Sequence, residues 1–202
     1  MGKRAEYIRF GLSWDRYVDN ITRLLRTRDS LNLNEDNFGI GFQIAVNTFS
    51  LSSLPDYIQW VQSLIDQYQF KLGLFPNVVS FPRHHNPHIL PQRYAQYYKQ
   101  AYDFVMEHAE ENDKVVQRQM QQWGIQNGGS WDHYGRHFLK WEWQSMDKPE
   151  RTEFDLESRV QFVDYINKLK ERREVDFIET FPDMRDFYDL CLQQRQGVAI
   201  NS

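Results

Sequence analysis

Cysteine is almost missing from this chain: Cys191 is the only one in 202 residues. One thiol excludes an internal disulfide, a cysteine-rich zinc site and any iron–sulfur cluster held by this chain alone, because such clusters need three or four thiolates. A basic surplus is missing too. With 24 Lys and Arg against 28 Asp and Glu, the formal net charge is −4, which argues against charge-driven binding to nucleic acid. No run approaches the roughly 18–20 apolar residues that span a bilayer, and the first residues lack the apolar core of a signal peptide. The expected location is therefore cytoplasmic, with no membrane partner. Gly39-Ile40-Gly41 falls within a predicted strand and Gly128-Gly129 precedes no strand-to-helix turn, so no glycine-rich phosphate loop is present. There is no Gly-x-Ser-x-Gly elbow, no internal repeat and no low-complexity tract.

What the chain does have is aromatic mass. Phe, Trp and Tyr make up 15 % of it and hydrophobic residues 41 %, enough for one sizeable core despite a mean hydropathy of −0.72. Cys191, between Leu190 and Leu192, reads as part of that core and not as a nucleophile.

After a polar, basic opening over residues 1–11, Ser13 precedes Trp14, Tyr17, Val18, Ile21, Leu24 and Leu25 at helical spacing. Ser13 is the expected cap, and Arg16, Arg23 and Arg26 form a solvated face. From Phe38 the period changes to two. Phe38, Ile40, Phe42, Ile44 and Val46 alternate with Gly39, Gly41, Gln43, Ala45 and Asn47, which predicts a strand with one bulky and one small face. The small face suits a barrel interior or a ligand cleft, or else it is covered by another layer or faces water. A helix with Pro55 in its first turn follows, then a second strand region in two pieces, 70–75 and 78–81, split by Pro76 and Asn77. Strand, helix and strand joined by short connections predict a right-handed βαβ unit with a parallel sheet.

The second half reads as helical. Pro91 opens a long helix, residues 124–130 are the expected hinge, an aromatic helix runs over 131–143, and helices follow over 154–173 and through Phe177 to Leu190. Gly197 is expected to begin a frayed tail. The expected fold class is α/β, with two or three parallel strands in residues 1–90 and a mainly helical region over 91–202.

Few residue groups suggest chemistry. Arg83-His84-His85-Asn86-Pro87-His88 follows a predicted strand, at the end where α/β folds bind ligands. No acid nearby completes a metal set, so a polar loop facing substrate or partner is the expected use, and a histidine-dependent metal site is the alternative. His133 and His137 share a helix face, but Tyr134 stands where a zinc protease carries glutamate. The acidic groups Glu107, Glu110, Glu111, Asp113 and Glu150, Glu153, Asp155, Glu157 read as solvated helix faces.

Several short strings, in their order along the chain, resemble radical S-adenosylmethionine enzymes of the twitch or SPASM type. The run Glu6-Tyr7-Ile8-Arg9-Phe10-Gly11 with Trp14 and Asn20-Ile21 is similar to the stretch after the fourth barrel strand of that family. The Gly41 strand with Leu54-Pro55 and Trp60 is similar to the fifth strand and its helix, and Val78 to Pro82 with Leu90-Pro91 and Tyr94 to the sixth. Leu169, Arg173, Phe177 and Phe181-Pro182-Asp183-Met184 resemble the closing signature of twitch-containing members.

The family's CxxxCxxC motif, whose thiolates hold a 4Fe–4S cluster, does not occur here. Nor do the auxiliary-cluster cysteines of SPASM members. The resemblance therefore implies the C-terminal half of a partial (β/α) barrel followed by a twitch-like region: a portion that covers cofactor and substrate without catalysing alone. It further implies S-adenosylmethionine as cofactor, contacted by Gln43, Asn47, Ser50 and Arg9, with Ser50 where relatives often carry asparagine. Arg83, His84, His85 and His88 would lie over the substrate mouth. The implied partners are a peptide or protein substrate and an N-terminal half supplied by a separate polypeptide. A non-catalytic interaction module built on the aromatic helices is the alternative in a different class.

Overall fold

A computed structural model of the chain describes residues 1–33, 37–69, 72–122, 131–146 and 152–201, without the side chains of 109–122, 131–137, 152–154 and 198–201. Two helices, α1 (Gly2–Ile8) and α2 (Trp14–Ser30), lead into β1 (Ile40–Val46), α3 (Leu54–Tyr68) and β2 (Leu72–Val78). The rest is helical: α4 (Ala95–Gln122), α5 (Trp131–Met146), α6 (Thr152–Arg173), α7 (Phe177–Thr180) and α8 (Arg185–Asn201). The expected hinge at 124–130, Glu150, and the side chains of His133, His137, Glu110, Glu111, Asp113 and Glu153 lie outside the described residues.

The expected βαβ unit is present. β1 and β2 pair in parallel, Ile40 against Leu72 through Val46 against Val78. The second strand is continuous where two pieces were expected, because Pro76 sits inside it opposite Ile44. The Val79 amide donates to the Val46 carbonyl at 2.9 Å, and amide direction alternates along a strand. The odd-numbered residues of β2 thus point at β1, and Pro76 occupies an outward position where no N–H is needed.

Side chains sort by face in the same register. Phe42 and Val46 are buried, whereas Gly41, Gln43 and Ala45 are exposed. The small face is therefore open to solvent along β1. Part of it is crossed by the Phe75 ring, whose Cζ a Cβ at Gly73 would meet at 2.7 Å, so the ring would have to shift for any side chain there.

Two apolar clusters hold the chain. The smaller one packs Leu25 of α2 and Phe42 and Leu72 of the sheet against Val61, Leu64 and Ile65 of α3. The larger one joins the N-terminal elements to the helical region through Tyr7, Val46, Phe49, Phe162, Phe177 and Phe181. Further ties reinforce it. Arg173 donates to the Tyr7 carbonyl at 2.8 Å, and Arg4 pairs with Asp183 and donates to Ser52 Oγ at 2.8 Å. The strings Glu6 to Gly11 and Leu169 to Met184, far apart in sequence, thus clasp one another.

Local signals account for several boundaries. Ser13 Oγ accepts the Arg16 amide at 3.3 Å, and Pro55 falls in the first turn of α3. Gly197, expected to begin a frayed tail, lies within α8, which continues to Asn201. One glycine costs a helix only about 1 kcal/mol and does not by itself end it.

Asp176 caps α7, its Oδ1 accepting the Ile178 amide at 2.8 Å and the Glu179 amide at 3.1 Å. The Glu179 amide, helped by that of Ile178 and by Lys170, holds the carboxyl below the usual carboxylate range. Because the folded value is the lower one, this stabilisation is complete above the unfolded pKa and lost as pH falls through the folded pKa. Asp176→Ala is expected to cost about 0.5–2 kcal/mol at neutral pH. Urea melts of both proteins should show that difference at pH 7, and it should shrink as acid protonates the carboxyl.

Candidate functional site

At the open edge of β1, the turn after the strand, α1 and the start of α2 enclose a groove of about 250 Å³. Arg9, Gln43, Asn47 and Ser50, separated by up to 41 positions in sequence (50 − 9), all line it. α1 forms the facing wall through Arg4, Ala5 and Ile8, while Trp14, Tyr17 and Tyr57 close the groove on its aromatic side.

The four residues are not equally free. Asn47 Oδ1 accepts the amides of Phe49 and Ser50 at 2.9 and 3.0 Å. Ser50 Oγ in turn accepts the Asn47 amide at 2.8 Å and donates to the Ala45 carbonyl at 3.2 Å. This reciprocal clasp turns the chain at the end of β1. Only the amide nitrogen of Asn47 remains available to a ligand, and Ser50 is committed to the turn. Gln43 and Arg9, both exposed, carry the free polar groups. Among the described residues the Arg9 guanidinium forms no ion pair, and its charge acts on Tyr57 across the groove. The groove can thus offer a cation, two amide groups and aromatic surface to a ligand that is part anionic and part planar.

Tyr17 and Tyr57 were not singled out from sequence. Their hydroxyls meet at 3.0 Å, and burial, with the hydrogen bond to Tyr17 adding to it, raises Tyr57 above the ordinary phenol range. Tyr57 therefore remains a hydrogen-bond donor in neutral solution. Both tyrosines fit the helical stripe of a buried face, and only the juxtaposition of α2 and α3 sets them in the groove.

The histidine loop stands apart from these residues. Thr48 holds it to the end of β1: its amide donates to the His85 carbonyl at 2.9 Å and its hydroxyl to the His84 and Asn86 carbonyls at 3.1 and 3.0 Å. The rings of His84 and His85 pack on Tyr165 of α6 at 5.0 and 4.9 Å, and His85 also meets Phe49 at 5.5 Å. Arg83 is exposed. His84, His85 and His88 thus pack toward the helical region, and none of them lines the groove that holds Gln43 and Arg9.

Burial, with neighbouring His84 adding to it, lowers His85 to about 4, and burial lowers His84 as well. Protonation is then favoured in the unfolded chain. Stability is full above the unfolded value of 6.5 and falls as pH drops from there toward about 4. Because the ring is only half-buried, the expected loss is on the order of 1–2 kcal/mol. Urea denaturation across that window should show the slope, and His85→Phe should flatten it, with His84 leaving a smaller residue of the same sign.

His88 has a different partner. Its Nε2 lies 2.7 Å from Oε2 of Glu142, whose side chain is only 4 % exposed. Sequence reading missed Glu142, because nothing in its local string marks a buried carboxylate on an aromatic helix. Close by in sequence to His88, the Ile89 carbonyl accepts from Nε of the buried Arg159 at 2.9 Å. Asp155 and Ser158, on the same stretch of α6, are also buried. Asp155 is thus not part of the solvated acidic face expected for it.

Among the described residues no group of three or more His, Cys, Asp or Glu is arranged to hold a metal ion. Cys191 is fully buried and burial pushes its thiol up to about 12, so it offers neither nucleophile nor ready ligand. No helix among the described residues is long and apolar enough to cross a membrane. Comparison with known proteins yields no matching family model, no matching curated sequence and no matching solved structure.

Proposed function

We propose that this chain is the cofactor- and substrate-covering portion of a radical S-adenosylmethionine enzyme of the twitch-containing kind, modifying a peptide or protein and completed by a separate polypeptide that carries the cluster thiolates. The observation that carries this reading is the convergence of Arg9, Gln43, Asn47 and Ser50 on one groove at the end of β1. These are the positions the resemblance assigns to the cofactor. Bound beside a cluster held by the partner, S-adenosylmethionine would supply radical chemistry.

Arg9 would hold the cofactor's carboxylate, and Gln43 with the Asn47 amide nitrogen its polar edge, while Ser50 shapes the turn. The cluster itself does not fit this chain. One buried thiol cannot replace three thiolates, so no step is assigned to a cluster here. In this reading β1 and β2 are two neighbouring strands of a partial barrel whose remaining strands come from the partner. The groove's 250 Å³ lies just below the roughly 300–1,000 Å³ usual for ligand pockets, as suits half of a site.

Anaerobic co-expression with a CxxxCxxC-bearing polypeptide encoded beside this chain tests the reading. The expected product is a stoichiometric complex with 4Fe–4S absorbance that binds S-adenosylmethionine. Arg9→Ala or Gln43→Ala should weaken that binding roughly tenfold, the loss of about one charge-assisted contact. A 4Fe–4S absorbance reconstituted on this chain alone would overturn the reading, as would a complex whose cofactor affinity ignores both substitutions.

A further inference from the structure

We propose that the His84–His85 pair is a binding site for one monovalent copper ion, held between the two imidazoles and screened from water by the rings of Tyr165 and Phe49. The site is separate from the cofactor groove, which none of these residues lines. Successive residues of a 3-10 helix point about 120° apart. Yet in the single 3-10 turn over Arg83–His85 the two rings meet, their centroids 4.7 Å apart and their planes at 81°.

The backbone beneath the rings is already fixed. The His85 amide donates to the Pro82 carbonyl at 2.8 Å and the Asn86 amide to that of Arg83 at 3.0 Å. Thr48 takes up the carbonyls of His84, His85 and Asn86. The side chains have no such partners. Both ring nitrogens of His84 and Nε2 of His85 are buried without a hydrogen bond, and Gln161 of α6 stands beside His84 without completing one of normal geometry. Buried polar atoms left in this state are costly and call for an explanation. Because burial lowers both imidazoles, each is neutral and offers a free lone pair in neutral solution.

The surroundings select the ion. Zinc wants four ligands, and calcium and magnesium want oxygen. No third His, Cys, Asp or Glu joins the pair among the described residues, and His88 is committed to Glu142 through Nε2. The charge of Lys168 acts on His84 from α6, which opposes a dication more than a monocation. An ion of single charge that accepts imidazole nitrogen at low coordination number is Cu(I). Tyr165 lies 5.0 and 4.9 Å from the two imidazoles and Phe49 lies 5.5 Å from His85. Aromatic rings at such distances favour a cation while keeping water out.

The test uses the whole chain, anaerobic and free of any affinity tag, with Cu(I) supplied in competition with the chromogenic chelator bicinchoninate. The expected result is stoichiometric uptake from the chelator, weakened about tenfold or more by His84→Phe or His85→Phe. Those variants keep a ring against Tyr165. Cys191→Ser, at a fully buried thiol, should bind copper as the parent does. The parent chain gives a second readout that needs no variant to fold: Ag(I), of the same charge, should shift the imidazole nitrogen resonances of His84 and His85 and leave those of His88 and His108 in place.

Uptake that survives both phenylalanine substitutions overturns the proposal, as does uptake abolished by Cys191→Ser. So do His84 and His85 resonances that stay unmoved at saturating silver, which would leave the buried nitrogens to water. Zn(II) bound at the same two rings as tightly as Cu(I) would overturn the choice of ion and with it the proposal.

Discussion

Phe49→Ala is expected to destabilise the chain by about 3–5 kcal/mol, the usual range for deleting a buried aromatic ring. The size follows from where Phe49 sits. It is 1 % exposed in the turn after β1, stacked on Phe162 of α6 at 5.2 Å, and it meets Tyr7 of α1, His85, Phe177 and Phe181 within 6.5 Å. Four separate stretches of chain therefore lose a neighbour at once. A pocket ringed by rigid aromatics cannot close over the void, so the cavity contribution is retained in full.

Against a total stability of about 5–15 kcal/mol for a domain, such a loss removes a large share of what keeps the protein folded. Urea denaturation monitored by far-UV circular dichroism measures it. Phe49→Leu, which keeps most of the volume, should cost less than half as much. A loss below about 1 kcal/mol for the alanine variant would mean that the two halves of the chain are not joined through this ring.

The parts of the structure that show in the sequence are those set by short-range periodicity. The alternation from Ile40 to Val46 specifies both a strand and its bulky face, and the Ser13 hydroxyl with Pro55 marks two helix starts. Pro76 misled for a physical reason. A proline interrupts a strand only if its amide would have met a neighbour, and which side a residue faces depends on pairing that sequence does not display.

The groove was legible only in part. Gln43 and Arg9 were named as cofactor contacts through the resemblance, one on the predicted strand and one in the run Glu6 to Gly11, and among the described residues both are exposed. Asn47 and Ser50 were named with them, yet most of their hydrogen-bonding capacity goes to the turn they form with each other. Asn and Ser favour turns for the same donor and acceptor geometry that makes them good ligands, so residue type alone does not separate the two uses. Tyr17 and Tyr57 meet across 40 positions, a distance over which no local pattern carries information.

His88→Ala is expected to be the other large loss, about 3–5 kcal/mol, although its ring is one-third exposed. The cost arises at Glu142 and not at the histidine. That carboxylate is 4 % exposed and its oxygen lies 2.7 Å from His88 Nε2. Remove the imidazole and a carboxylate stays in a nearly dry site beside Tyr98, whose buried hydroxyl has no hydrogen-bond partner among the described residues.

The double substitution His88→Leu with Glu142→Leu should recover most of the stability, because it removes both desolvated groups and leaves apolar volume behind. A purely packing role for His88 predicts the opposite order, with the double variant worse than the single one. Thermal and urea unfolding of the single and double variants separates the two accounts. If charge pairing governs the site, Glu142→Gln should fall between them, since an amide still hydrogen-bonds to the ring while costing less to bury than a carboxylate.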